Sequence, residues 1–272
     1  MYIRNNWYVA AWSLELATSV PLGRKILDEP IVMFRTSVGA VAIEDRCLHR
    51  GMPLSVGGRV ENEGIQCPYH GMEFDATGAC RKIPGQEHIP AGARLRSFPL
   101  VERDGTLWIW PGDPNAADPA AIPAYPQHAA DGYAFRKTML TMHCNWEFLN
   151  DNLLDLTHLG YVHARTIGGD PDAHSTAIMN SEKSDRSVRV TRHLPASEPP
   201  PSYRLCHDFA GKVDSLARDR LDAGSRANQQ RRNRRRHRRI CRQARRRRAV
   251  LRLSRHHAGN RGVDALLLLT RA

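Results

Sequence analysis

The sequence has no run of eighteen apolar residues, so no stretch of it reads as a membrane-spanning helix. Its first residues, MYIRNNWYVAAW, lack the continuous apolar core of a secretory signal, because Arg4, Asn5 and Asn6 interrupt it. Cysteine is scarce, six in 272 residues. That is too few for a disulfide scaffold. Cys80, Cys144, Cys206 and Cys241 show no pairing pattern, which points to free thiols in a reducing, cytoplasmic setting. Residues 215–272 lack Phe, Tyr, Trp, Lys and Glu altogether, yet hold 19 Arg and 3 Asp. A nucleic-acid-binding arm normally mixes Lys with Arg and interleaves aromatics for stacking, so nucleic acid is not the expected partner. This segment carries a charge of +16 against +12 for the whole chain, which leaves residues 1–214 at −4. The body is mildly acidic. With 41% hydrophobic residues it can fill one large or two medium cores.

What is present is a pair of unusual loops. CLHRG at 47–51 offers Cys47 and His49; CPYHG at 67–71 offers Cys67 and His70. Each presents one sulfur and one nitrogen on a tight Gly or Pro turn. Two cysteines and two histidines suit either a zinc site or a [2Fe–2S] cluster. Zinc sites of this stoichiometry usually pair Cys with Cys and His with His along the chain. Here each loop gives one of each. That favours a Rieske-type cluster, with Cys47 and Cys67 on one iron and His49 and His70 on the other. The plainer alternative is two turn cysteines and two surface histidines, and it requires four matched ligands to coincide by chance.

Around these loops the pattern is β. Residues 30–45 read as two strands about a Ser-Val-Gly turn, and VERDGTLWIWPG at 101–112 reads as a hairpin turning at Asp-Gly. Residues 1–112 are therefore expected to form an antiparallel β domain. A Pro-, Ala- and Asp-rich connection follows over 113–135, and a second domain begins at 136 with a strand in FRKTMLTMHCNWEF. Asn150-Asp151 would cap a helix over DNLLDLTHLGYVH at 151–163. Asp155 and His158 are three apart and share a face of that helix. His163 lies five further on, about 140° round an ideal α-helix. Both imidazoles meet one metal only if the helix is broken or bulged, and Gly160 is the residue that makes this inexpensive. Taken alone, a buried helix with satisfied histidines explains the motif as well; beside the cluster loops, the metal reading is favoured.

Together NNWYVAAW, CLHRGMPLSVG, CPYHGMEFDATG, GTLWIWPG and NDNLLDLTHLGYVHARTIG resemble the oxygenase component of Rieske non-haem iron oxygenases, and within them the vanillate O-demethylase type. The resemblance runs to about Asp214. It implies an α+β chain, with an N-terminal Rieske antiparallel β domain and then a helix-and-sheet catalytic domain, incomplete here, over 136–214. It implies a [2Fe–2S] cluster and a mononuclear Fe(II), with His158 and His163 as iron ligands. Asp155 would be the carboxylate linking an iron-site histidine to a cluster histidine of a neighbouring subunit. It also implies a homotrimer, a flavin/iron–sulfur reductase as electron donor, and O2-dependent monooxygenation of a small aromatic, often an O-demethylation through an unstable hemiacetal. A Rieske electron-transfer or redox-sensing protein is the rival, but it has no use for the D-x2-H-x4-H motif. A 2-His-1-carboxylate iron leaves positions open for O2, and Rieske ligation raises the cluster potential relative to all-Cys clusters.

The chain departs from the family after Asp214. The family's third iron ligand is an Asp far downstream, and only Asp219, Asp222 and Asp264 follow here. An all-Arg run is what GC-rich DNA yields when read out of frame. SLARDRLDAGSRA can be encoded so that a reading one nucleotide later gives RWQEIDSTPGAVR. Likewise HHAGNRGVDALLLL can yield ITPETEASTHYFF. Residues 215–272 are therefore expected to be an out-of-frame segment, disordered or loosely helical, and the chain to be truncated in effect and inactive as an oxygenase.

Overall fold

The computed structural model describes residues 2–125, 128, 136–137, 139–185, 187–205, 207–222, 249–259 and 262–271. The chain is α+β and divides into two units: Met1–Pro126 with His256–Gly259, and Gln127–Arg255 with Asn260–Ala272.

In the first unit eleven strands form three antiparallel sheets. The strands are β1 (Tyr8–Trp12), β2 (Leu22–Ile26), β3 (Glu29–Thr36), β4 (Gly39–Glu44), β5 (Arg59–Glu61), β6 (Gly64–Gln66), β7 (Glu73–Asp75), β8 (Cys80–Lys82), β9 (Ser97–Phe98), β10 (Leu100–Arg103) and β11 (Thr106–Ile109). The sheet orders are β1-β11-β10, β2-β3-β4-β9 and β5-β6-β7-β8. Both expected hairpins form. Thr36 pairs Gly39 across Ser37-Val38. Asp104 and Gly105 both take positive φ, 51° and 71°, the geometry that matches a two-residue turn to strand twist.

β3 explains where the loops sit. Its residues Ile31, Val32, Met33 and Phe34 are all fully buried. Successive side chains of a strand point to opposite faces, so one strand can serve two cores. Ile31 and Met33 join Ile26, Leu107 and Ile109. Val32 and Phe34 join Leu54, Ile65, Phe74 and the two loop cysteines. The continuous apolar run in EPIVMFRT is thus the wall between two cores, and the cluster loops are anchored on its second face.

Residues 113–125 fold with this unit instead of leading away from it. Two short 3-10 turns, Pro114–Ala116 and Pro119–Ala121, are capped by Asp113 and Asp118. The Trp7 indole donates to the Asp118 carbonyl at 2.7 Å, and Tyr125 stacks on Trp108.

The second unit contains β12 (Arg136–Lys137), β13 (Leu140–Met142), α1 (Trp146–Leu154), α2 (Leu159–Val162), α3 (Pro171–Ser175), β14 (Ile178–Lys183), β15 (Ser187–Ser197), α4 (Pro201–Arg204), β16 (Val213–Asp222), β18 (Gly262–Arg271) and all of β17 (Ala249–Gly259) but its last four residues, which group with the first unit. One sheet runs β14-β15-β16. In another, β12 and β13 pair β18 in a single register, Arg136 with Leu269 and Thr141 with Asp264, so the expected strand over this stretch is one strand with a break.

Two expectations are corrected here. The helix starts at Trp146, not at residue 151: Asn145 is its cap, with Oδ1 accepting from the Glu147 N–H at 3.0 Å, and Asn150 is buried within it. An Asn followed by Trp and Glu has the same cap signature as Asn150-Asp151, and the earlier one lies next to the preceding strand. The expectation of disorder also fails for residues 215–222, 249–259 and 262–271, which are strands. Arg and Leu alternate in LRLSRH, and VDALLLLT is apolar enough to pair. Residues 223–248, which hold most of the Arg, lie outside the described residues.

Candidate metal centres

The two cluster loops are built on one frame. In the first, the Cys47 N–H donates to the Met52 carbonyl at 2.9 Å and the Gly51 N–H to the Cys47 carbonyl at 2.9 Å. In the second, the Cys67 N–H donates to the Met72 carbonyl at 2.7 Å and the Gly71 N–H to the Cys67 carbonyl at 3.1 Å. Gly51 and Gly71 close the loops at φ 67° and 73°, a conformation that side chains resist. The shared pattern is C-x3-G-M, legible in CLHRGM and CPYHGM, and the Cys-to-His spacing taken alone obscures it. The histidine differs by one position, and both rings still converge.

The geometry sorts the ligands by type. Cys47 and Cys67 are buried at 3% and 2% exposure, whereas His49 and His70 are exposed. The two Nδ1 atoms face each other at 3.2 Å, with ring centroids 4.5 Å apart. Burial pushes the Cys47 thiol up; the backbone N–H of His49 pulls it down, the neighbouring Cys67 raises it, and the N–H of Arg50 lowers it. Those N–H donors are the kind that stabilise a metal-bound thiolate. Among the described residues, no three Cys, His, Asp or Glu side chains converge on one point as ligands of a single ion. Sulfurs inside and imidazoles outside fit a two-iron cluster better than one zinc. Beneath the loops, the buried Asp45 carboxylate accepts from the Ser55 N–H at 2.8 Å and its hydroxyl at 2.5 Å, tying the first loop to its return. Cys80 is buried too, but its thiol faces the Lys82 carbonyl at 3.5 Å.

The second centre forms where α1 breaks. The break is there, but at Asp155–His158, not at Gly160. Asp155 Oδ1 accepts from the Thr157 N–H at 2.9 Å and the Thr157 hydroxyl at 2.5 Å, an Asx turn that ends the helix. Gly160 lies inside α2, where a Cβ would come within 2.4 Å of the Pro171 backbone; it is small to allow packing against α3. After the break, His158 and His163 stand with ring centroids 5.4 Å apart. His158 Nδ1 lies 2.7 Å from the Asp155 carbonyl. A carbonyl only accepts, so Nδ1 carries the proton and Nε2 is the nitrogen left for a metal. The expected partnership of Asp155 and His158 is thus made by backbone oxygen. The carboxylate is held by Thr157, whose hydroxyl and N–H keep it below the usual range, and by Arg192 at 3.7 Å. No third ligand converges with the two histidines among the described residues.

Of the three late carboxylates, only Asp219 has a described side chain, and it is 1% exposed on β16. Burial raises it to about 7, opposed by Arg192. Oδ2 of Asp219 and Nε of Arg192 both lack hydrogen-bond partners. A carboxyl raised above its unfolded value favours the fold at low pH, and that contribution is lost as pH rises through the folded value. Thermal stability is expected to fall between about pH 4 and pH 7, from the unfolded to the folded value, by a margin on the order of a few kcal/mol at most. Asp219→Asn should flatten that slope in a melting series; an unchanged slope would show that Asp219 does not carry it.

Comparison with known proteins finds two domain families along the chain. The Rieske [2Fe-2S] domain family matches residues 6–99, and the vanillate O-demethylase oxygenase C-terminal domain family matches residues 142–246. The second match passes Asp214, so the likeness does not stop there. The dicamba O-demethylase oxygenase component of Stenotrophomonas maltophilia is 49% identical over 200 residues, 73% of this chain and 58% of that one. A vanillate O-demethylase oxygenase subunit of Pseudomonas sp. (strain HR199 / DSM 7063) is 34% identical over 266 residues, 97% of this chain and 69% of that one. A crystal structure of dicamba monooxygenase bound to dicamba superposes with a TM-score of 0.83 at 33% identity, covering 99% of this chain and 78% of that one. The chain spans 58% to 62% of the length of the first curated relatives it matches. No described helix is long and apolar enough to cross a membrane. The family implies two cofactors, a [2Fe–2S] cluster and a mononuclear iron, and the chain belongs to the Rieske non-haem iron oxygenases of the vanillate O-demethylase type.

Proposed function

We propose that this chain is the oxygenase component of a Rieske monooxygenase that oxidises a small aromatic substrate with O2, most simply by O-demethylation. The observation that carries the reading is the sorted ligand set: two buried sulfurs and two exposed imidazoles whose Nδ1 atoms face each other at 3.2 Å. When bound, the cluster supplies single electrons and the mononuclear iron a place for O2 beside substrate. The buried Cys47 and Cys67 and the exposed His49 and His70 would hold the cluster, with the histidines on the side open to an electron donor of the flavin/iron–sulfur reductase class. The Asp155 carbonyl keeps His158 in the tautomer that offers Nε2, and His163 offers the second imidazole. In a homotrimer, the Asp155 carboxylate would bridge this site to a cluster histidine of the neighbouring subunit. That subunit arrangement is what the family resemblance implies, and the substrate class is taken from relatives, two of them O-demethylases of dicamba and vanillate.

The same reading takes residues 215–272 to be out of frame. Asp219 supports it, because the buried position on β16 holds a carboxyl with an unpartnered oxygen. RWQEIDSTPGAVR would place an isoleucine there. Resequencing the locus across codon 215 tests this directly, and a gene that reads SLARDRLDAGSRA in frame, with no RWQEIDSTPGAVR one nucleotide later, rejects it.

Asp155→Asn, in a frame-restored form, should keep both metals yet lose turnover by about 10–100-fold, as substitutions of outer-shell partners do. Turnover at the parental rate with full iron would reduce Asp155 to a helix-ending residue.

A further inference from the structure

All three contacts that hold the Asp155 carboxylate fall on one oxygen. Oδ1 accepts from the Thr157 N–H at 2.9 Å and from the Thr157 hydroxyl at 2.5 Å, and it faces Arg192 Nη1 at 3.7 Å. Oδ2 makes no hydrogen bond among the described residues, on a side chain that is 63% exposed. Arg192, on β15, is 6% exposed, so the positive charge beside Oδ1 is a buried one. Thr157 is itself exposed and touches neither iron-site histidine among its hydrogen bonds, so its hydroxyl has no structural task beyond this contact. A free Asp carboxylate rotates about its terminal torsion and offers either oxygen. One held twice through the same oxygen presents the other in a fixed direction.

We infer that Thr157 is a positioning residue, which clamps Oδ1 of Asp155 so that Oδ2 is aimed outward at a donor on a second copy of this chain. The N–H bond alone closes the Asx turn that follows the helix; the added hydroxyl fixes the rotation of the carboxylate. This rests on the reading that Asp155 bridges to a cluster histidine of a neighbouring subunit, and it names the residue that makes the bridge directional. A negative charge held against a cluster histidine disfavours the added electron, so loss or release of that charge should raise the cluster's midpoint potential.

The test is the midpoint potential of the Rieske cluster in the full chain, read by redox titration of the EPR signal, with no need for turnover. Asp155→Asn should shift it upward. Thr157→Val, which keeps the side-chain volume and removes only the hydroxyl, should shift it in the same direction by a smaller amount. Thr157→Ser should return the parental value. Thr157 lies outside the unit that holds the cluster, so a merely structural role would leave the potential unmoved. If Asp155→Asn shifts the potential and Thr157→Val does not, the clamp is wrong and the bridge stands. If Asp155→Asn leaves the potential unmoved, the bridge itself is wrong, and Thr157 has nothing to aim.

Discussion

Cys47→Ser and Cys67→Ser are each expected to abolish the cluster outright, leaving no labile sulfide and no EPR signal on reduction. Both sulfurs are buried against Leu54, Ile65 and Phe74, and the loops that carry them have the same pair of backbone hydrogen bonds. Serine fits the space, but its hydroxyl does not replace a thiolate on iron. Binding a cluster also contributes to folding, so the unloaded domain should melt at lower temperature. Cys80→Ser is the matched control. Cys80 packs in the same core, yet its thiol faces the Lys82 carbonyl, and its loss should leave sulfide and iron at parental content. A Cys47→Ser protein with full sulfide would remove Cys47 from the ligand set, and loss of the cluster in Cys80→Ser would show that core packing alone explains the effect.

The second expected result concerns the chain as it stands. It should retain a cluster but no mononuclear iron, and give no coupled turnover of a vanillate-like substrate with a suitable reductase. His158 and His163 supply two of the three protein ligands of a facial triad. No Asp or Glu converges with them among the described residues, and Asp219 is buried on β16 near Arg192. Restoring the frame after Asp214 should add one tightly held iron per chain and bring demethylation with it. Full mononuclear iron with coupled turnover in the 272-residue form would overturn both the missing ligand and the out-of-frame reading.

How much of this was legible in the sequence depends on how local the cause is. The two loops could be read because Cys, His and Gly at short spacing have few other reasons to coincide, and the hairpins because Ser-Val-Gly and Asp-Gly are turn chemistry. The break before His158 was foreseen from the angle between the histidines, but its place was not. The cause is a side chain, the Asp155 carboxylate capturing Thr157, and it competes with the permissive Gly160, whose small size turned out to serve packing on Pro171. The helix start was missed because Asn145 and Asn150 are equally good caps, and only the preceding strand chooses between them. The double-sided burial of β3 was hidden as well, since Ile-Val-Met-Phe shows no alternation by which to assign faces. The strand beyond Gly259 was missed because Arg content outweighed the apolar run in VDALLLLT.

The central claim is that Cys47, His49, Cys67 and His70 hold one [2Fe–2S] cluster, and the most direct measurement is metal and sulfide analysis of purified protein beside its EPR spectrum after reduction. The account predicts iron and labile sulfide in equal amounts at the stoichiometry of a single [2Fe–2S] cluster, with a rhombic signal of low average g. Stoichiometric zinc without labile sulfide, in protein prepared with and without air, would contradict it.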